Sequence, residues 1–233
     1  MRESRRSFDI RPVRSRIAVL ASGGLDSSVL LADLARHKRH VFPVYVRAGL
    51  RWERDELAVL RKFLATLRGF KIEPLKLLDL PMTDVAADHW SVTGRGVPGF
   101  RASTASNYIV GRNLTLLAKA AVFCAHNRIG EVAMAPLEAN PFPDARPEFF
   151  RAVERAVALG VGLPLKVRAP FVGMSKAQVI RKGRGLALGL TLSCAQPRGA
   201  LHCGACTKCA ERIEAFAEAG IQDPTRYRKA VGT

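Results

Sequence analysis

Residues 16–21 (RIAVLA) run directly into Ser22-Gly23-Gly24-Leu25-Asp26-Ser27-Ser28, and residues 27–37 (SSVLLADLARH) then carry apolar side chains at helical spacing. A short apolar run that stops at a glycine turn reads as a buried strand. A buried strand passing at once into a helix is the opening unit of a parallel sheet, and it constrains the fold more than any other stretch. Two adjacent glycines let the backbone turn sharply and bring its N–H groups close to a ligand. A helix starting near Asp26 or Ser27 aims its free N–H groups and positive dipole end at the same spot. With the hydroxyls of Ser22, Ser27 and Ser28, the turn is an anion cradle suited to phosphate or pyrophosphate. Asp26 inside such a cradle becomes reasonable once Mg2+ bridges it to phosphate oxygens. The string fits neither GxxxxGK[ST] nor GxGxxG. The candidate nucleotide-binding residues are therefore Ala21, Ser22, Gly23, Gly24, Leu25, Asp26, Ser27 and Ser28. The plain alternative is an ordinary turn in which Asp26 or Ser27 caps the helix.

The alternation continues down the chain. Residues 40–46 read as a strand, and residues 52–67 as an amphipathic helix with Leu57, Leu60, Phe63, Leu64 and Leu67 on one face. Residues 70–78 hold a strand candidate interrupted by Pro74, and residues 81–106 read as loop. A helix is expected over 114–127, a strand over 131–135 and a proline-rich loop over 136–147. A helix over 147–159 has proline in its first turn, and a strand candidate follows at 165–168. The helix over 175–182 is capped by Ser175, and that over 208–219 stops at Gly220. Alternating strands and helices imply an α/β fold, a doubly wound parallel sheet with right-handed crossovers. Ligands of such sheets bind beyond the carboxyl ends of the strands.

The 233 residues, 48% of them hydrophobic, suffice for one sizeable core with a small appended module. The expected division is a flexible basic arm over 1–14, a nucleotide-binding domain over 15–190, and a metal-binding extension over 191–233. The arm has no apolar core of a secretory signal. The net charge of +17 favours anionic partners, but Lys and Arg are spread along the whole chain. Nucleic acid is therefore compatible with the charge and not required by it. No apolar run reaches the ~18 residues of a membrane span.

Four of the five cysteines, Cys194, Cys203, Cys206 and Cys209, follow the pattern C-x8-C-x2-C-x2-C. Overlapping CxxC knuckles with a fourth cysteine nearby can close a tetrahedron of thiolates around Zn2+. Four protein ligands leave no open position, so the ion is expected to be structural. Gly204 supplies a tight turn, and Arg198, Lys208 and Arg212 are expected to offset the charge of the sulfurs. His202 reads as a bystander and Cys124 as a buried thiol. Clustered cysteines with an odd total point to a reducing cytoplasm.

The loop resembles the SGGxDS signature of the PP-loop ATP pyrophosphatases. Together with the cysteine spacing it resembles the 7-cyano-7-deazaguanine synthase (QueC) family over nearly the whole chain. The likeness extends to Gly111-Arg112-Asn113, to the stretch from Phe142 to Phe149, to Ser175-Lys176-Ala177, to Ser193-Cys194, and to the tail from Ala219 to Tyr227. The resemblance implies a homodimeric ligase acting on 7-carboxy-7-deazaguanine, ammonia and ATP. ATP would be cleaved to AMP and pyrophosphate through adenylated intermediates. It also implies acceptor or catalytic roles for Asp26, Arg112, Asn113, Glu138, Asp144, Arg146 and Lys176. The chain departs from the family pattern over 44–53 and 134–146, where an acceptor would sit. An alternative is thus a related ligase that adenylates another carboxylate or carbonyl, on a tRNA base or a protein terminus.

Overall fold

A computed structural model describes residues 10–37 and 39–228. Its centre is a five-stranded parallel sheet in the order β3-β2-β1-β4-β5. The strands are β1 (Arg16–Leu20), β2 (His40–Arg47), β3 (Lys76–Asp79), β4 (Glu131–Ala133) and β5 (Lys166–Arg168). β1 is central and buried on both sides, which is why its sequence is an unbroken apolar run rather than an alternation. Ile17 and Val19 face one core, while Ala18 and Leu20 face the other. The first core is closed by α1 (Leu25–Arg36), α2 (Glu53–Thr66), α6 (Lys176–Lys182) and α7 (Thr207–Ala219). The second is closed by α4 (Arg112–His126) and α5 (Pro147–Val161). Cys124 is fully buried in that second core, as expected.

The strand order reverses between β1 and β4. The chain moves outward through β2 and β3, then returns to the opposite side of β1. The segments leaving β1 and β4 therefore diverge and open a crevice at the carboxyl end of the sheet.

Most element boundaries fall within two residues of expectation. The C-terminal strands are shorter: β4 stops at Ala133, where its last partner in β5, Arg168, also ends. β3 is confined to Lys76–Asp79, beyond Pro74. Residues 81–106 contain a four-residue helix, α3 (Trp90–Thr93), whose first turn is capped by the His89 side chain accepting from Ser91 N–H. The cap of α6 is as expected, with Ser175 and Gln178 forming a reciprocal capping box. Residues 1–9 of the basic arm lie outside the described residues. Residues 10–14 run along the domain, where Ile10 N–H donates to Gly162 O at 2.9 Å and Val13 N–H to Arg128 O at 2.8 Å.

Arg212 feels the charge of the Cys209 sulfur, as expected, but makes its hydrogen bonds elsewhere. It is 1% exposed and spends its guanidinium on Thr225 Oγ1, Thr191 Oγ1 at 2.9 Å and the Leu188 carbonyl at 2.9 Å, beside Asp223. It thereby pins the C-terminal stretch and residues 188–191 to α7. Removing the cation leaves the Asp223 carboxylate without its countercharge and takes a donor from Thr225 Oγ1, Thr191 Oγ1 and the Leu188 carbonyl. Arg212→Ala is expected to lose about 3 kcal/mol of unfolding free energy, read as a shift of the urea midpoint with an unchanged slope.

Candidate active site and metal centre

The glycine loop occupies the crevice edge next to β1. Gly23 has φ +76°, and a β-carbon there would lie 2.8 Å from the Glu56 carbonyl oxygen. Only glycine meets both conditions. α1 begins at Leu25 with Gly24 as its cap, so neither Asp26 nor Ser27 caps the helix. Ser22 N–H donates to Ser27 Oγ at 3.2 Å, and Gly24 N–H donates to Ser22 Oγ at 3.2 Å. The two hydroxyls lie 3.1 Å apart. Ser28 Oγ is buried without a hydrogen-bond partner.

Asp26 points from the first turn of α1 into a cavity of about 440 Å³. Its wall also carries Glu138 from the segment after β4, Lys176 from α6, and Lys208 and Glu211 from α7. Lys176 Nζ lies 3.5 Å from Asp26 Oδ2 and 3.5 Å from Glu211 Oε2, and Lys208 Nζ lies 3.1 Å from Glu211 Oε2. Burial works against the Lys176 ammonium, but Asp26 and Glu211 outweigh it and raise its pKa. Burial dominates at Lys208 and lowers its pKa. Glu211 has the reverse balance: desolvation favours its neutral form, yet Lys176 and Lys208 pull its pKa down. Asp26 Oδ1 remains buried with no partner. An orphaned carboxylate oxygen beside a phosphate-type cradle fits a hard divalent cation such as Mg2+.

The other expected residues divide. Arg112, in the first turn of α4, lines a cavity of about 50 Å³ at the ends of β1 and β2 and a second one of about 520 Å³ beyond it. Its Nε is buried and unpartnered. Asn113 and Asp144 meet each other: Asp144 Oδ2 accepts from Asn113 N–H at 2.9 Å, and the Asp144 carbonyl accepts from Asn113 Nδ2 at 3.1 Å. The Asp144 carboxylate thus satisfies a first-turn amide of α4, and α4 starts at Arg112, two residues before the expected position. Arg146 is exposed at the N-cap of α5.

Sequence reasoning missed a buried pair at the small cavity. Tyr45 Oη donates to Glu56 Oε2 at 2.7 Å. Beside it, Glu53 Oε1 accepts from the Ala48 and Gly49 amides at 2.6 and 3.1 Å. The signal for Glu56 was present, since an acid four residues from both Trp52 and Leu60 sits on the apolar stripe of α2. Burial pushes the Glu56 carboxyl up from the ordinary 4.5 to about 7, against the pull of Arg112 and of the Tyr45 hydroxyl.

The four clustered cysteines are buried, and their sulfurs all lie within 4.8 Å of one another. Cys203 and Cys206 sulfurs lie 3.7 and 3.6 Å from that of Cys209. A tetrahedral ion with metal–sulfur bonds of about 2.3 Å has sulfur–sulfur edges of about 3.8 Å, so the donors fit a single Zn2+. Backbone amides of Cys203 and Gln196 donate to the Cys194 sulfur at 3.2 and 3.3 Å, and Ala205 N–H to the Cys203 sulfur at 3.4 Å. Such bonds stabilise thiolates. Gly204, at φ +78°, makes the expected tight turn. His202 belongs elsewhere: its Nε2 accepts from Ser193 N–H at 3.0 Å.

A parallel sheet reversing at β1, a glycine loop at the reversal, and a four-cysteine centre beside it form the architecture that the sequence resemblance implied. A family model described as queuosine biosynthesis protein QueC matches residues 16–220. A 7-cyano-7-deazaguanine synthase of Anaeromyxobacter dehalogenans (strain 2CP-C) is 35% identical over 231 residues, covering 92% of this chain and 96% of the relative. One from Anaeromyxobacter sp. (strain Fw109-5) is 36% identical over 232 residues, covering 93% and 97%. Another, from Methanothrix thermoacetophila, is 34% identical over 228 residues, covering 91% and 99%. The chain belongs to the QueC family. Among the described residues, no helix is long and apolar enough to cross a membrane.

Two outcomes follow from this geometry. Unfolded, Glu56 ionises near 4.5; folded, it keeps its proton to about 7. Between those values the folded state holds the extra proton, so stability falls as pH rises through that window and levels off above it. The loss is roughly 3 kcal/mol, and Glu56→Gln is expected to remove it in denaturation curves compared at about pH 5 and pH 8. Cys206→Ala is expected to lose stoichiometric zinc by elemental analysis and to melt well below the parent protein, because a structural ion contributes directly to folding.

Proposed function

We propose that the chain converts 7-carboxy-7-deazaguanine and ammonia to 7-cyano-7-deazaguanine, with two ATP cleaved to AMP and pyrophosphate. Kinship over nine-tenths of the chain to proteins of that name supports the acceptor. The single observation that carries the ATP chemistry is the Ser22–Ser28 cradle, built on a glycine that admits no β-carbon, with the unpartnered Asp26 oxygen beside it.

The chemistry requires adenylation. A free carboxylate resists attack because its leaving group would be oxide. Once AMP is transferred to the carboxylate, ammonia displaces it and leaves an amide. A second adenylation, on the amide oxygen, lets that oxygen depart as AMP and gives the nitrile. The residues of the cradle, Ala21, Ser22, Gly23, Gly24, Leu25, Asp26, Ser27 and Ser28, hold the β- and γ-phosphates through N–H and hydroxyl groups. They thereby orient the α-phosphorus towards the acceptor. Asp26 holds Mg2+, which supplies charge neutralisation for the departing pyrophosphate. Lys176, kept cationic by Asp26 and Glu211, adds a second positive charge beside the cradle. Glu138 faces the same cavity and Arg112 the neighbouring ones, so they are the acceptor- or nucleotide-facing candidates. Asn113 and Asp144 fix the start of α4, and Arg146 stands at the adjoining surface. The four thiolates hold a structural Zn2+ in the extension over 191–233, appended to the nucleotide-binding domain over 15–190. The protein works as a cytoplasmic homodimer, without need of nucleic acid.

Release of AMP and pyrophosphate from ATP, dependent on the deazaguanine acid and ammonium, is the direct test; ADP as the product would reject the reading. Asp26→Ala is expected to lower turnover by at least about 100-fold, while its circular dichroism and melting temperature stay those of the parent.

A further inference from the structure

The phosphate cradle leans on a part of the chain far away in sequence. Leu192 N–H donates to the Gly23 carbonyl at 2.8 Å. Leu25 N–H, the first amide of α1, donates to Ser193 Oγ at 3.5 Å. Ser193 is itself held from both sides. Its own N–H donates to Nε2 of His202, a residue only 1% exposed and packed edge-on against Tyr227. Its neighbour Cys194 belongs to the four-sulfur centre. The cradle thus has two anchors: β1, from which it emerges, and the metal centre, which reaches it through Leu192 and Ser193.

The two bonds differ in kind. The Leu192–Gly23 bond is short and fixes a carbonyl, so it holds the backbone of the turn in place. The Leu25–Ser193 bond is at the outer limit of hydrogen-bond length. It aims the leading amide of α1 without committing it. A phosphate oxygen is a charged acceptor and makes shorter, stronger bonds than a hydroxyl. Leu25 N–H can therefore be shared with a phosphate oxygen while the Ser193 hydroxyl still holds it in line. Pre-aimed donors spend less binding energy on ordering.

We infer that Ser193 is a positioning residue for the nucleotide: with Leu192 it ties the phosphate cradle to the four-sulfur centre, so that metal binding sets the affinity of the cradle for phosphate. The inference rests on the reading of Ser22–Ser28 as a phosphate site. It assigns the metal a second consequence beyond stability, exerted through two backbone segments rather than through the substrate.

The experiment uses inorganic pyrophosphate and ATP as probes on the full-length zinc-loaded protein, by calorimetry. Ser193→Ala is expected to raise both dissociation constants about fivefold, and Ser193→Thr, which keeps the hydroxyl, to restore them. In steady state the KM for ATP rises in Ser193→Ala, while kcat and the KM for ammonium stay within about twofold. A merely structural role would instead lower the melting temperature and shift all three constants. In a second arm, metal is stripped from the parent protein and amide hydrogen exchange is followed. Protection at Leu25 and Leu192 should fall while that of Val19 and Val44 in the sheet persists, with weaker pyrophosphate binding. Unchanged dissociation constants in Ser193→Ala, or exchange that rises equally in sheet and cradle, would overturn the inference alone. Failure of the zinc-loaded parent to bind either probe would overturn it together with the reading of the loop.

Discussion

At Gly23 two distant parts of the chain, α2 and the segment at Leu192, converge on a residue with no side chain. The Glu56 carbonyl of α2 stands where a β-carbon would need to be, Leu60 Cβ lies 3.3 Å from the same point, and Leu192 N–H reaches the Gly23 carbonyl from another direction. The left-handed backbone at Gly23 turns the chain between β1 and α1 within four residues, Ala21 to Gly24. α2 can then pack directly against the turn. That contact brings the first turns of α2 to the end of β2, where Glu53 satisfies the Ala48 and Gly49 amides and Glu56 receives the Tyr45 hydroxyl. A larger residue at position 23 would push away the helix that orders the neighbouring cavity wall as well as the loop itself.

Charge is arranged on two scales. The chain carries +17 overall, yet five of its 20 acidic residues line the cavity beside the cradle. The long-range field favours anions, while the short-range pattern alternates Asp26, Lys176, Glu211 and Lys208, each 3.5 Å or less from the next. Such alternation keeps Lys176 ionised despite its burial, because two carboxylates share it. A lysine flanked by a single acid would have its charge cancelled locally. Here the acid on one side, Glu211, is itself balanced by Lys208, which leaves Asp26 free to turn its second oxygen elsewhere. The unpartnered Oδ1 is the result.

What the sequence made legible was whatever local chemistry alone decides. The β1 run, the Ser175 cap, the Gly220 stop and the sulfur knuckles each require only neighbours in the chain, and each stands where expected. What it concealed depends on partners far along the chain. α4 begins at Arg112 because Asp144, 31 residues on, accepts the Asn113 amide. β4 ends at Ala133, opposite Arg168 at the end of β5, whose carbonyl takes a last bond from Met134 N–H at 2.9 Å. α3 is too short for periodicity and is capped by a histidine, an uncommon cap. Arg212 reads as a balancing charge near sulfur, but the threonines and carbonyl that claim it come from segments whose packing no motif announces. Lys176 and Glu211 are 35 positions apart, and only the packing of α6 on α7 brings them together.

The metal centre solves a problem that regular structure would not. Leu192 and Ser193 must lie within hydrogen-bond reach of the cradle, yet no helix or strand runs through them. The apolar cluster around them joins the cysteines to Leu50, Trp52, Val59 and Leu192, with Trp90 and Tyr227 partly buried against it. Four sulfurs within 4.8 Å of one another are placed to fix the segment around a shared ion, two of them, Cys206 and Cys209, at the start of α7, a helix already packed into the main core through Ala215 and Phe216. With an ion held there, rigidity would pass from the core along α7, through the four sulfurs, to Cys194 and the residues before it. A cradle whose amides must reach phosphate is better served by such an external clamp than by tighter bonds within itself, since those would have to be broken each time phosphate arrives.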